Sequence, residues 1–399
     1  MKKPLVVKDG ISWVGALDFD IRVFDVIMYT QNGTTYNSYV VKGTEKTALV
    51  EVVKEKFFDE FIERLRGVTD PGKIDYIILN HTEPDHSGGL AKLLELCPDA
   101  EVVATAVGLK FARGICNRDF KSRAVRNGDS IDLGGAALEF MPLPQLHWPD
   151  SMFTYIPQKK TLFTCDSFGC HYCGEAVFND AIDKDFADAY KYYFDCIMGP
   201  FKSFVRKALD AIAKLEIETI CNGHGPVIRK DVEKYITMYR EWSAEPAAGR
   251  PSVVVAYVTS YGYTKMLAEK ITEGIEAAGG IDAQCVDITD RGPSAIASEI
   301  EASRGVLLGS PTIVGDALAP VWELLTALNP VVHGGRIAGA FGSYGWSGEA
   351  VPNIMQRFAQ LRFKTPLEGL RVNLRPTEAD LVQAFEYGKK FAAFIPKGA

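Results

Sequence analysis

The sequence predicts a two-domain α/β chain: a half that mixes strands and helices, then a doubly wound parallel sheet. Three observations predict it. At 399 residues the chain outgrows one ordinary hydrophobic core. The run Trp-Ser-Ala-Glu-Pro-Ala-Ala-Gly-Arg-Pro, residues 242–251, makes neither a good helix nor a good strand, so domains of residues 1–248 and 249–399 are expected. Beyond it, apolar strands alternate with helical stretches, the rhythm of repeated βαβ units.

In chain order, residues 36–41 and 47–53 read as strands. Residues 54–66 have helical spacing, with Phe57, Phe58, Phe61, Ile62 and Leu65 on one face. Residues 75–80 form a buried strand. A polar loop follows, kept out of regular structure by Pro84 and Gly88-Gly89, and then a helix over 89–97. Residues 184–215 are a long helical region interrupted near Gly199-Pro200, and 218–221 are a last short strand before Asn222-Gly223-His224-Gly225. In the second half, 252–258 is a continuous apolar strand and 265–278 an amphipathic helix. Further strands are expected at 306–308, at 337–341 and near 370–372.

Composition excludes several classes. A net charge of −7 disfavours nucleic acid, whose phosphates need a basic surface. No apolar run approaches the ~18 residues that span a bilayer, and the apolar core near Met1 is too short for a signal peptide, so a cytoplasmic protein is expected. Eight cysteines in a reducing compartment read as small buried apolar residues. The one close pair, Cys170 and Cys173, is expected to pack rather than to bind metal, and without a second such pair no four-thiolate site can form.

The strongest chemical signal is His81-Thr82-Glu83-Pro84-Asp85-His86, directly after the strand ending at Asn80. A polar loop capping the next helix through Asp85 or Ser87 is the bland alternative. Against it, His147, Asp166 and His224 each follow another expected strand, and ligands at several strand ends can converge on one point. A second signal is Thr259-Ser260-Tyr261-Gly262-Tyr263-Thr264, between a buried strand and a helix. Its hydroxyls and backbone N–H groups can cradle a phosphate, and Gly262 permits close approach. No G-x-G-x-x-G or G-x-x-x-x-G-K-[ST] is present, which disfavours dinucleotides and nucleoside triphosphates. Two later loops also leave strand ends: Gly309 to Asp316, with Pro311, Thr312 and Ile313, and Phe341 to Glu349, with Ser343, Tyr344, Gly345, Trp346, Ser347 and Gly348. Strand carboxyl ends are where open α/β sheets bind ligands, and Tyr344 and Trp346 can pack beside a planar ring.

The first pattern resembles the metallo-β-lactamase superfamily, whose loop carries H-x-H-x-D-H, except that Glu83 replaces the second histidine. That fold is an αββα sandwich. The set becomes four imidazoles and three carboxylates, and added anionic oxygen suits iron better than zinc. The three later loops resemble those of flavodoxin, with the first on the FMN phosphate and the others around the isoalloxazine. Together, with the stretch Leu146 to Tyr155, these features resemble the flavodiiron proteins (A-type flavoproteins) over essentially the whole chain.

The resemblance implies an oxidoreductase that reduces O2 to water, or NO to N2O. One iron would take His81, Glu83 and His147, and the other Asp85, His86 and His224, with Asp166 bridging; His86 is uncoordinated in some members. His171, Tyr192 and Tyr193 are candidates for proton delivery or for hydrogen bonds to the ligands, whereas His333 is expected on the surface without a role. Members of the two-domain class carry no fused rubredoxin, so a separate rubredoxin or similar small carrier is the expected electron donor. A head-to-tail homodimer, or a dimer of such dimers, would bring the FMN of one chain to the irons of its partner. A zinc hydrolase carrying a flavodoxin domain and a purely electron-carrying scaffold are the competing readings. Glu83 argues against the first, and seven intact ligand types against the second.

Overall fold

The computed structural model describes residues 2–25, 28–244 and 249–396. The chain divides into two compact units, Met1–Ala244 and Glu245–Ala399, while the expected boundary at 248/249 lies outside the described residues.

In the first unit a seven-stranded sheet runs in the order Leu5–Lys8, Ile11–Trp13, Tyr39–Lys42, Thr47–Val50, Tyr76–Ile78, Glu101–Ala104, Ser122–Ala124. A five-stranded sheet runs Ser130–Asp132, Ala137–Pro142, Met152–Ile156, Thr161–Cys165, Thr219–Asn222. Successive strand side chains point to opposite faces. Val41, Val50, Ile78 and Val103 of the first sheet therefore share a core with Phe140, Met152, Phe163 and Cys221 of the second. Their neighbours Val40, Leu49, Ile77 and Val102 pack with Phe61 and Leu65 of the helix Phe58–Arg66. On the outer face of the second sheet, Phe153, Tyr155, Leu162 and Ile220 meet Val205 and Leu209 of Lys202–Ile212. Two sheets face to face with helices outside each make the αββα sandwich.

The second unit is one parallel sheet in the order Asp282–Asp287, Ser252–Tyr257, Gly305–Gly309, Ile337–Tyr344, Leu370–Asn373. Val254, Ala256, Val306 and Leu308 face one helical layer, and Val253, Val255, Leu307 and Phe341 the other. This is the doubly wound 2-1-3-4-5 order of the flavodoxin type.

Several expected elements differ. The strand over 36–41 is two pieces: Thr34–Tyr36 pairs with Ala16–Asp18, whereas Tyr39–Lys42 joins the large sheet. Between them the buried Asn37 donates from Nδ2 to the Asn222 carbonyl (3.1 Å) and Ser38 Oγ donates to the Glu51 carbonyl (2.8 Å). The strand expected over 47–53 stops at Val50, because Glu51 adopts φ +60°, a left-handed conformation that costs a non-glycine residue about 1–3 kcal/mol. The metal loop is not irregular throughout, since Pro84–Ser87 forms one helical turn. Proline's fixed φ suits the first helical position, so it starts that turn instead of forbidding it. The 184–215 region breaks into Ala187–Tyr193, a π-helical segment Phe194–Met198, a 3-10 turn Gly199–Phe201 and Lys202–Ile212. Asp282–Asp287 escaped sequence reading because this edge strand carries no apolar run.

His333 is buried (5% exposed), not on the surface. Its Nδ1 accepts from the Asn329 backbone N–H (3.0 Å), and its Nε2 lies 3.3 Å from the Ala297 carbonyl, so it ties a turn to a helix. All eight cysteines are free. Cys170 packs in the core, and burial raises its thiol pKa and pushes that of Cys173 up to about 12. Among the described residues no helix is long and apolar enough to cross a membrane.

Candidate metal centre and flavin site

Four strand ends on one rim of the sandwich supply the site. His81, Glu83, Asp85 and His86 follow Tyr76–Ile78, and His147 lies between Ala137–Pro142 and Met152–Ile156. Asp166 directly follows Thr161–Cys165, and His224 follows Thr219–Asn222. The loops are locked in place by backbone and side-chain bonds: the Met152 N–H donates to the Asn80 carbonyl (2.9 Å), and Thr154 Oγ1 donates to Asn80 Oδ1 (2.6 Å).

All seven expected ligands converge, in two groups that meet at Asp166. Its Oδ2 lies 2.9 Å from His147 Nε2 and 3.4 Å from His81 Nε2, and Glu83 Oε2 stands 3.2 Å from His81 Nε2 and 3.1 Å from His147 Nε2. Its Oδ1 lies 2.9 Å from His86 Nε2 and 3.5 Å from His224 Nε2. Asp85 Oδ2 stands 3.4 Å and 3.0 Å from those same two nitrogens. Donor atoms held about 2.1 Å from one metal ion sit about 3.0 Å apart at right angles and about 3.4 Å apart at tetrahedral angles. The spacings therefore fit two ions, one on each oxygen of a shared carboxylate.

The outer nitrogens fix the tautomers. His224 Nδ1–H donates to the Thr35 carbonyl (2.6 Å) and His81 Nδ1 lies 3.2 Å from both oxygens of the buried Asp150, so each Nε2 lone pair faces inward. Asp150 Oδ2 also accepts from the Thr82 N–H (2.8 Å) and from Thr82 Oγ1 (2.7 Å). Burial opposes protonation of His81, but hydrogen bonds to Asp150 and Glu83 and the charge of Asp166 overcome it and push the imidazole up to about 10. His147 reaches about 10 and His86 about 9 against the same burial, the former chiefly through bonds to Asp166 and Glu83, the latter through the charges of Asp85 and Asp166. Burial would raise Asp85, but the charges of His86 and His224 hold it at about 2, and the same imidazole cluster keeps Asp166 well below the usual carboxylate range. Asp85 Oδ1 and His86 Nδ1, the atoms turned away from the cluster, are buried without a hydrogen-bond partner.

Of the proton-delivery candidates, Tyr193 reaches the site: its buried Oη–H donates to Asp166 Oδ1 (3.1 Å), and burial with the Asp166 charge raises its pKa well above the ordinary phenol value. His171 packs edge-on to Tyr193 (4.9 Å) and lies 5.2 Å from the His224 ring. Its Nδ1 is 2.9 Å from Thr34 Oγ1, its Nε2 is unpartnered, and burial pushes its pKa well down. Tyr192 does not share the site. It is 42% exposed and its Oη accepts from the Tyr29 N–H (3.4 Å). Sequence reasoning assigned no part to Asp150, although its stretch was singled out, nor to Phe24, whose ring covers His171 (4.4 Å) and His224 (5.3 Å).

In the second unit the three loops are stitched together. Thr264 Oγ1 lies 3.0 Å from Ser343 Oγ, the Thr312 N–H donates to the Ser343 carbonyl (3.0 Å), and the Ala350 N–H donates to Thr312 Oγ1 (3.2 Å). Gly262, at φ +82°, opens the helix Tyr263–Ala277, whose first-turn N–H groups face the loop. Thr259 Oγ1 is buried and unpartnered, a donor without an acceptor at that helix N-terminus, which fits a phosphate. Tyr261 (82% exposed) and Trp346 (92%) stand free at the loop tips, as flat walls for a ring would. Ser260, Gly345 and Ser347 are exposed beside them, Pro311 is buried, and the Ile313 N–H closes a turn on the Asp316 carbonyl (3.1 Å). At Gly342 a Cβ would lie 2.0 Å from the Ser310 carbonyl oxygen, so only glycine lets these two loops touch.

Known proteins share both halves. Residues 34–225 match the ODP family beta lactamase model and 255–388 match the flavodoxin model. The type A flavoprotein fprA of Rhodobacter capsulatus is 40% identical over 98% of this chain and 91% of its own. This chain belongs to the type A flavoprotein, or flavodiiron, family of oxidoreductases. The nitric oxide reductase of Moorella thermoacetica is 38% identical over 99% of this chain and 100% of its own. The rubredoxin oxygen:oxidoreductase of Desulfovibrio gigas superposes with a TM-score of 0.67 at 29% identity, covering 98% of each chain.

Proposed function

We propose that this flavodiiron protein reduces dioxygen to water, nitric oxide to nitrous oxide, or both, at a di-iron centre that receives electrons through FMN from an external carrier. The observation that carries the reading is Asp166, whose two carboxylate oxygens each face a separate trio of ligands. When bound, the irons and the flavin supply the electron chemistry: four electrons and four protons per O2, or two of each per pair of NO molecules.

The protein's own part is placement and protons. His81, Glu83 and His147 would hold one iron, and Asp85, His86 and His224 the other, with Asp166 between. Glu83 in place of imidazole brings the carboxylates to three, and that hard anionic set favours iron over zinc. Loops 259–264, 311–313 and 343–348 would seat FMN, with Thr259 and the helix N-terminus on the phosphate. Tyr193 keeps its proton against Asp166 Oδ1 and is the nearest store for the reduced substrate. Neutral His171 sits behind it. A separate rubredoxin or similar small carrier is the donor, and a head-to-tail dimer would bring FMN to the partner's irons; the name of the Desulfovibrio gigas relative, rubredoxin oxygen:oxidoreductase, supports the first.

The test is anaerobic reduction of the iron- and FMN-loaded protein, followed by separate additions of O2 and NO. Rapid consumption of either supports the reading. Consumption of neither, with the flavin fully reduced, ends it.

A further inference from the structure

Each metal-facing imidazole has an outer nitrogen that needs an acceptor. His81 has Asp150, His224 has the Thr35 carbonyl, and His147, with its side chain 14% exposed, is open to water. His86 is 1% exposed and its Nδ1 has no partner. Beside it lies a carboxylate in the complementary condition. Glu51 is also 1% exposed; its Oε1 accepts from the Asn80 N–H (2.9 Å), but its Oε2 is unpartnered.

The backbone holds the two together. The Glu51 N–H donates to the Ile78 carbonyl, and the next residue, Val52, donates to the His86 carbonyl (2.9 Å each). Glu51 keeps its left-handed φ of +60° at this spot, the strand ending there so that the side chain turns toward the metal loop. A Cβ at Gly223 would lie 2.7 Å from His86 Cε1, so the ring has no room to swing toward that residue. One further buried donor, Asn80 Nδ2, is unpartnered, while Asn80 Oδ1 is engaged by Thr154. Two orphan donors and one orphan carboxylate oxygen with two lone pairs balance.

We infer that Glu51 is the positioning residue of the second metal: it accepts the hydrogen bond of His86 Nδ1 and thereby aims Nε2 at the ion, as Asp150 does for His81 at the first. This rests on the two-metal reading and assigns His86 as a ligand in this chain. Glu51→Gln tests it, because the amide keeps an oxygen for the Asn80 N–H but turns NH2 toward two donors.

Metal-free wild type and E51Q are titrated anaerobically with Fe2+ against a chromophoric chelator, and crystals of each are measured at the iron edge to resolve occupancy site by site. The expected result is a loss of about 10- to 100-fold in affinity confined to the ion at Asp85, His86 and His224, with the other site within twofold. Equal affinities at both sites overturn the inference, as does equal weakening of both, which marks Glu51 as a general prop for the loop. A wild-type chain that takes up only one iron removes the two-metal reading itself, a distinguishable failure. If E51Q does not fold, the loaded wild-type structure at atomic resolution decides. His86 Nδ1 bonded to Glu51, directly or through one water, supports the assignment, and any other acceptor refutes it.

Discussion

Replacing Asp150 by asparagine probes how the sandwich aims a metal ligand. Asp150 is 1% exposed, and its two oxygens receive the Thr82 N–H, the Thr82 hydroxyl and His81 Nδ1. Asparagine fits the same space but must point NH2 one way or the other. Facing Thr82, it meets a backbone donor. Facing His81, it forces Nδ1 to accept, moves the ring proton to Nε2 and so occupies the lone pair that the metal needs. The second orientation is favoured, since the Thr82 backbone N–H cannot change role. The wrong tautomer and lost charge should weaken the first site by about 10- to 100-fold, or about 1.4–2.7 kcal/mol. Losing one charge-assisted bond should lower the stability of the metal-free fold by about 2 kcal/mol. Chelator competition with Fe2+ reads the first quantity and denaturant unfolding the second. A variant that binds two irons within twofold of wild type would refute this tautomer argument.

The remaining predictions follow from other contacts. Glu83→His, which restores the nitrogen donor of the hydrolytic relatives, should raise the zinc-to-iron ratio of protein grown with both metals, as metal analysis would read. Thr259→Val removes the buried orphan hydroxyl and should weaken FMN binding by about 10- to 100-fold, the value of a charged hydrogen bond, in a fluorescence titration. With His81 and His147 raised to about 10 and His86 to about 9, entering metal must displace protons, so iron affinity should climb between about pH 6.5 and 9. The same shifts stabilise the metal-free fold fully below pH 6.5 and fade as pH rises through 9 to 10. The contribution of Asp85, held at about 2, is present above 3.8 and lost as pH falls toward 2. Metal-free melting temperatures should therefore fall as pH rises from about 6.5 toward 10; a midpoint still rising at pH 9 would contradict the assigned shifts. Gly342→Ala should drive a methyl into the Ser310 carbonyl and lower both the melting temperature and FMN retention.

What was legible in the sequence was what side-chain type and strand rhythm encode. The candidate ligands at strand ends stood out because they are His, Asp and Glu, the residue types that hold metal ions of this kind. The parallel sheet declared itself through runs such as 252–257, apolar because both faces are covered. Features set by backbone geometry were hidden. The break at Asn37-Ser38 and the end of a strand at Glu51 reflect buried polar bonds to residues far along the chain, Asn222 among them. Asp150 sat in view in a stretch already singled out, but only the folded distance to His81 shows that it orients that ring. The same holds for the separation of the neighbouring tyrosines, where Tyr193 points at Asp166 and Tyr192 at the surface. His333 misled because a lone histidine near glycines looks exposed, whereas here it accepts a turn's N–H.

The central claim is that one carboxylate joins two irons, and diffraction from the loaded protein at the iron edge tests it most directly. Two anomalous peaks about 3.5 Å apart, one on each oxygen of Asp166, are predicted. A single peak, or two peaks that scatter only at the zinc edge in protein supplied with both metals, would contradict it.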